Sequence, residues 1–168
     1  AHPVRLTRDY YLGKHEVTQD EFETVMGRNP SWYSPTGGGK DALTQPDTKR
    51  CPVESVTWNA AVEFCRRLSE LSEEKAAGRT YRLPTEAEWE YGCRGGRTDE
   101  IPLYRTWNTG DTSGEIASKE KPPMPLVTVP VGSYEPNGFG MHDMCGNVYE
   151  WVADYRAKGY YGKSPLED

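Results

Sequence analysis

Residues 137–151, NGFGMHDMCGNVYEW, decide how the rest of the chain is read. Gly138, Gly140 and Gly146 let the backbone turn tightly and approach its neighbours. The Gly146-Asn147 turn signal then leads into a short strand-like run, 148–151. In a strand, Tyr149 and Trp151 would share one face and Val148 and Glu150 the other. One face would bring aromatic bulk to a core, and the other would set a carboxylate beside turn carbonyls. Asp143 lies just upstream. Two hard oxygen donors flanking a turn suit Ca²⁺, which accepts carboxylates and carbonyls in loose geometry. A Gly-Asn turn entering a core strand with a surface glutamate fits the same residues, and local chemistry leaves both readings open.

Working outward, 168 residues suit one domain, and the modest apolar share is offset by 5 Trp, 11 Tyr and 3 Phe. The 17 glycines and 13 prolines follow no period, which points to a loop-rich globular fold. Mean hydropathy is -0.84 and no apolar run approaches the length of a membrane span. A net charge of -6 without a basic cluster excludes nucleic acid as a partner, since phosphate recognition needs a positive field. The chain begins abruptly, as a trimmed or excerpted sequence would. Cys51, Cys65, Cys93 and Cys145 form no C-x-x-C pair, and His2, His15 and His142 lack helical zinc spacing, so each histidine is expected on the surface or in a simple hydrogen bond.

Upstream, 4–6, 10–14, 53–56 and 126–131 read as short strands, the last of them at an edge because of Pro130. Thr18 caps a helix through the box T-Q-D-E, ending at Gly27. Thr57 caps the most strongly patterned helix, with Ala61, Phe64, Cys65 and Leu68 on one face and Gly78 as its stop. Thr85 and Glu88 form a second capping box. The crowded Glu86, Glu88 and Glu90 are explained by that cap and by the helix dipole, without any acid/base role. The loop 28–52 is long enough to be functional or self-packed, with Trp32 and Tyr33 as expected anchors. Trp107 is the expected tether of 97–121.

Four blocks in order, YLGKHEVTQDEF, PVESVTWNAAVEFCRRLSE, YRLPTEAEWEYGCRGG and NGFGMHDMCGNVYEW, closely resemble the formylglycine-generating enzyme (sulfatase-modifying factor) family over nearly the whole chain. The resemblance implies an α+β, C-type-lectin-like fold, loop-rich, with short strands and two or three helices, stabilised by calcium. It implies a single domain, 1–168, incomplete at both ends and completed by a further segment or another chain.

The resemblance also implies a calcium site formed by Asp143, the carbonyls of Gly146 and Val148, and Glu150. The family's second calcium site is not placed. The family's oxidases convert a sulfatase cysteine to formylglycine with copper and O₂, but their copper-binding cysteine pair matches none of the four cysteines here. Cys65 and Cys93 match positions that in some members pair with cysteines further along the chain, whereas Cys145 stands where a small or aliphatic residue is usual. No histidine triad supports a sulfur-transfer metalloenzyme of the ergothioneine type. The expected function is therefore a calcium-stabilised, non-catalytic binding or scaffold module with a protein or peptide partner. The alternative is part of a copper-dependent oxidase whose thiols lie on a further segment; copper belongs only to that alternative. Disulfides of the family kind would place the protein in a secreted, periplasmic or cell-envelope compartment.

Overall fold

The structure, a computed structural model, describes residues 4–98 and 127–154. The expectations for Trp107, His2 and Leu126 lie outside these residues.

Thr18 opens α1, Gln19–Met26, with the anticipated reciprocal capping box, and Gly27 closes it in the left-handed conformation at φ 75°. Thr57 caps α2, Trp58–Glu70. The single helix expected from Thr57 to Gly78 is in fact broken. Leu71 is extended at ψ 137°, and a separate short helix, α3, covers Ser72–Ala76. Ser69 supplies a reason: its hydroxyl donates to the Cys65 carbonyl at 2.8 Å and accepts the Tyr81 amide at 2.8 Å. A serine bonded back along its own helix competes with the helical ladder, and here it also ties down the returning chain. The second predicted capping box forms at Thr85 and opens α4, Glu86–Arg94.

Among the described residues no multi-residue strand forms. The expected runs 10–14, 53–56 and 148–151 are irregular; single bridges occur at Arg5, within the expected run 4–6, and between Thr18 and Pro52, the latter antiparallel. The physical reason lies in where the backbone groups of extended segments go. The Tyr81 amide is taken by Ser69, the Val129 amide by the Asn147 side chain, and the Val131 amide by the Arg50 carbonyl in the loop. Side chains and single loop carbonyls replace the ladder, so extended segments exist without a sheet.

The core is small. Phe22 of α1 and Phe64 of α2 stack with centroids 5.4 Å apart, and Cys51, Cys93, Val127 and Val131 are also buried. Cys65, expected to face this core, is only half-buried.

The loop 28–52 is held by a polar hub as well as by the expected Trp32 and Tyr33. Gln19 is 1% exposed. Its amide donates to the Tyr33 and Pro52 carbonyls, and its carbonyl accepts from Asn29 at 2.9 Å and Thr48 at 2.8 Å. Trp32 is half exposed, lying under the backbone of Gly38 and Gly39, where a Cβ would come within 2.3–2.5 Å of its ring.

Candidate functional site

The turn 143–150 is held between α4, the 129–132 segment and the residues preceding α1. Asp143 and Asn147 adopt φ of 56° and 64°, with Gly146 at 138° between them. Non-glycine residues in this region are held there by their surroundings and concentrate at functional sites. The Val148 amide donates to the Gly146 carbonyl at 2.8 Å, closing a γ-turn on Asn147. Asn147 locks that turn in place, exchanging hydrogen bonds with both backbone groups of Val129 and donating to Glu16 Oε2 at 3.0 Å.

Asp143 is oriented by the Gly132 amide, which donates to its Oδ2 at 2.5 Å. Gly132 is required there: its φ is 76°, and a Cβ would stand 2.9 Å from the His15 ring. Asp143 Oδ1 is buried with no hydrogen-bond partner, as is Glu16 Oε1. Glu150 accepts a hydrogen bond from the Trp89 indole of α4. Burial raises its carboxyl above the usual range, the Trp89 bond opposes that shift, and the charge of Asp143 adds to it.

Glu16 is the residue sequence reasoning missed. It is 7% exposed, and its carboxyl is pushed up to about 8, chiefly by burial and then by the charges of Asp143 and Glu150. Its sequence neighbourhood, between His15 and Val17, carries no ligand pattern; only the fold brings it 131 residues along the chain to Asn147. The sequence-predicted residues Asp143, Gly146, Val148 and Glu150 thus share one turn, and a third carboxylate joins them. Among the described residues no group of three His, Cys, Asp or Glu side chains is arranged to hold a metal ion. Any cation here would need backbone carbonyls besides the carboxylates, as calcium commonly does.

One expectation about the surroundings is overturned. Tyr149 and Trp151 are exposed (101% and 50%), so they are not a core anchor. Among the described residues no sheet forms for an aromatic face to pack against. Trp151 is tethered instead through its indole to the Val56 carbonyl at 2.8 Å. His142, expected on the surface or in a simple hydrogen bond, is hydrogen-bonded through Nδ1 to the Tyr134 carbonyl at 2.9 Å; its ring also lies 4.7 Å from that of His15, with the His142 amide bonded to the Lys14 carbonyl. Burial and the neighbouring cations and imidazole lower the His15 pKa.

Beside this turn, an open groove of about 1050 Å³ runs between the N-terminal segment and α4. Tyr11, Tyr91 and Phe139 line it and are exposed, with Arg8, Glu90 and Arg94 adding charge of both signs.

A family model for the sulfatase-modifying factor enzyme 1-like domain matches residues 1–165. The chain is 36% identical over 149 residues to a formylglycine-generating enzyme of Streptomyces coelicolor, covering 84% of this chain and 43% of that protein. It is 31% identical to the chaperone protein LppX of Paenibacillus barcinonensis (89% and 63% covered), and 30% identical to the serine/threonine-protein kinase Pkn1 of Chlamydia trachomatis (94% and 25%). It therefore spans less than two thirds of the length of each of these relatives. In three dimensions it is similar to Treponema denticola variable protein 1, with a TM-score of 0.61 and 28% identity over 86% of this chain and 62% of that one. It is similar also to PvdO of Pseudomonas aeruginosa, with a TM-score of 0.58 and 28% identity over 92% and 59%. By sequence and by fold, the chain belongs to the sulfatase-modifying factor enzyme 1-like (formylglycine-generating enzyme) domain family.

Proposed function

We propose that this chain forms a calcium-stabilised, non-catalytic binding or scaffold module with a protein or peptide partner. One observation carries the calcium reading: Asp143 Oδ1 and Glu16 Oε1 are buried polar atoms without a hydrogen-bond partner, beside a third buried carboxylate, Glu150. Buried charge of one sign needs a counter-charge, and hard oxygens with turn carbonyls suit Ca²⁺. Asp143, the Gly146 and Val148 carbonyls, and Glu150 would hold the ion. Glu16 would add negative charge behind Asn147. The ion would supply positive charge and cross-link the turn, and it takes no part in a reaction.

The binding reading is supported by the exposed aromatic groove, since partly desolvated Tyr and Phe are typical partner contacts. It is supported also by relatives named as a chaperone protein and a protein kinase, the kinase matching this chain over only a quarter of its own length. An exported compartment suits both readings, because extracellular calcium is abundant enough to fill a loose oxygen site.

The oxidase alternative has one observation in its favour, the 36% identity to formylglycine-generating enzymes. It requires two thiolates for Cu(I). The thiols that meet in this chain are Cys93, 5% exposed, and half-buried Cys145, and neither matches the family's copper-binding pair. The catalytic pair would then come from a further segment.

Calcium is tested by thermal melting. Added calcium should raise Tm and EDTA should lower it, while Glu150→Ala and Glu150→Gln should lose that response. A melting curve unmoved by EDTA removes the calcium claim. Activity is tested by incubating the full-length protein with copper, O₂ and a cysteine-bearing sulfatase peptide. The binding reading expects an unchanged peptide mass, and appearance of formylglycine reverses the preference.

A further inference from the structure

Cys93 and Cys145 are 52 residues apart in the chain, yet their sulfurs stand 3.1 Å apart. Both thiols are free, and the two sulfurs are in direct contact. Contacts that do not involve sulfur enforce this meeting. The Asn137 side chain donates to the Gly92 and Cys93 carbonyls at 2.7 and 3.3 Å, capping the end of α4 onto the loop that leads to Cys145. Gly138 packs against the Gly95 carbonyl so closely that a Cβ there would lie 2.4 Å away. On the far side of Cys145, Glu150 is bonded to Trp89, one turn earlier on the same helix. The helix and the loop are thus pinned on both sides of the two thiols, and joining them would need little further ordering of the chain.

We propose that Cys93 and Cys145 form a disulfide that clamps the C-terminal turn of α4 to the 143–148 turn. The oxidant is a disulfide, either oxidised glutathione or a protein disulfide. Cys145 is half-buried and Cys93 is 5% exposed, so Cys145 attacks first. Its thiolate bonds to one sulfur of the oxidant and expels the other as a thiolate. The Cys93 thiolate then attacks Cys145 Sγ in the mixed disulfide and expels the second thiolate. The protein thiols lose two electrons and two protons, and the two released thiolates take up the protons. Cys145 lies two residues after Asp143 and immediately before Gly146, so the clamp holds this turn independently of any cation. It also gives Cys93 a partner within this chain.

Peptide mapping of the full-length protein tests this. After equilibration with oxidised glutathione, free thiols are alkylated under denaturing conditions without reduction, and the digest is examined by mass spectrometry. The expected result is one cross-linked pair carrying Cys93 and Cys145, lighter than the two peptides by two hydrogens and absent after reduction. Alkylation of both residues, or a Cys93 cross-link to any other cysteine, overturns the proposal. Thermal melting provides a second arm: reductant should lower the wild-type Tm by roughly 5–10 °C and leave Cys145→Val unmoved. A Cys145→Val protein whose Tm still falls by that amount overturns the proposal, and if that variant fails to fold the peptide map decides alone.

Discussion

Trp58 and Trp151 bond to each other's strand of chain: the Trp58 indole donates to the Val152 carbonyl at 2.9 Å, and the Trp151 indole to the Val56 carbonyl at 2.8 Å. This reciprocal tie fixes 150–154 against the start of α2. The same segment reaches α4 through the Ala153 amide on the Pro84 carbonyl (2.8 Å) and Asp154 accepting from the Glu86 amide (2.5 Å). Both tryptophans are about half exposed, so their role is donation and lateral packing more than burial. Glu150 sits at the head of this tied segment, which is how the far end of the described chain comes to hold the turn at 143–150 in place.

Trp151→Phe keeps a ring but removes the donor to Val56. Denaturant unfolding should show a loss of about 1 kcal/mol, the net value of one hydrogen bond. A change indistinguishable from zero would mean that the tie is not formed in solution.

Gln19→Ala should be much more costly, because four groups lose a partner at once: the Tyr33 and Pro52 carbonyls, the Asn29 amide and the Thr48 hydroxyl. A loss of about 3 kcal/mol is expected from urea melts, with early proteolysis in 28–52. Gln19→Glu should also destabilise, since it replaces the donor to both carbonyls with a buried charge.

Arg82 forms a two-pronged pair with Glu88, at 2.7 Å on each carboxylate oxygen, and Glu88 is 1% exposed. Arg82→Met leaves that carboxylate buried without its cation and should cost about 3 kcal/mol in chemical unfolding. The double variant Arg82→Met with Glu88→Gln should recover part of the loss, because the buried charge that loses its Arg82 partner in the single variant is then gone.

His15 gives a pH dependence whose sign follows from its lowered pKa. In the folded state burial, the His142 ring and the charges of Lys14 and Arg50 favour the neutral ring, with Asp143 opposing them. The unfolded ring titrates near its ordinary 6.5 and so takes up a proton first as the pH falls. The stability contributed by neutral His15 is therefore complete above that value and is lost progressively below it. His15→Phe should flatten the decline in Tm between about pH 7 and about pH 5. An unaltered slope would assign the decline to other groups.

Glu16→Gln removes the carboxylate whose pKa stands near 8 and leaves a neutral side chain of similar size. In EDTA this variant should melt higher than the wild type near neutral pH, where the wild type must either bury a charge or hold a proton. In calcium the advantage should shrink or reverse. Equal melting of the two proteins under both conditions would show that Glu16 does not feel the site.

Much of this organisation was legible from local chemistry. Both capping boxes, the glycine stop after α1 and the start of α2 depend on contacts within a few residues, and each forms where the sequence places it. The family membership follows from four ordered blocks. The strands did not follow in the same way. Alternating Val, Tyr and Leu specify an extended backbone, but a ladder also needs a partner edge, and here Ser69, Asn147 and Arg50 satisfy the amides first. For the same reason the outward faces of Tyr149 and Trp151 could not be read from alternation alone.

Within the candidate site, the sequence by itself determined the tight turn at 146–148 and the two carboxylates that flank it, because spacing and turn residues act over a few positions. Only the tertiary structure decided the rest: that Glu16 joins those carboxylates, that Gln19 holds the long loop, that His15 meets His142, and that Cys93 faces Cys145. Each of these depends on a contact between segments distant in the chain. No local preference encodes such a contact, and it exists only once the distant segments of the chain have packed together.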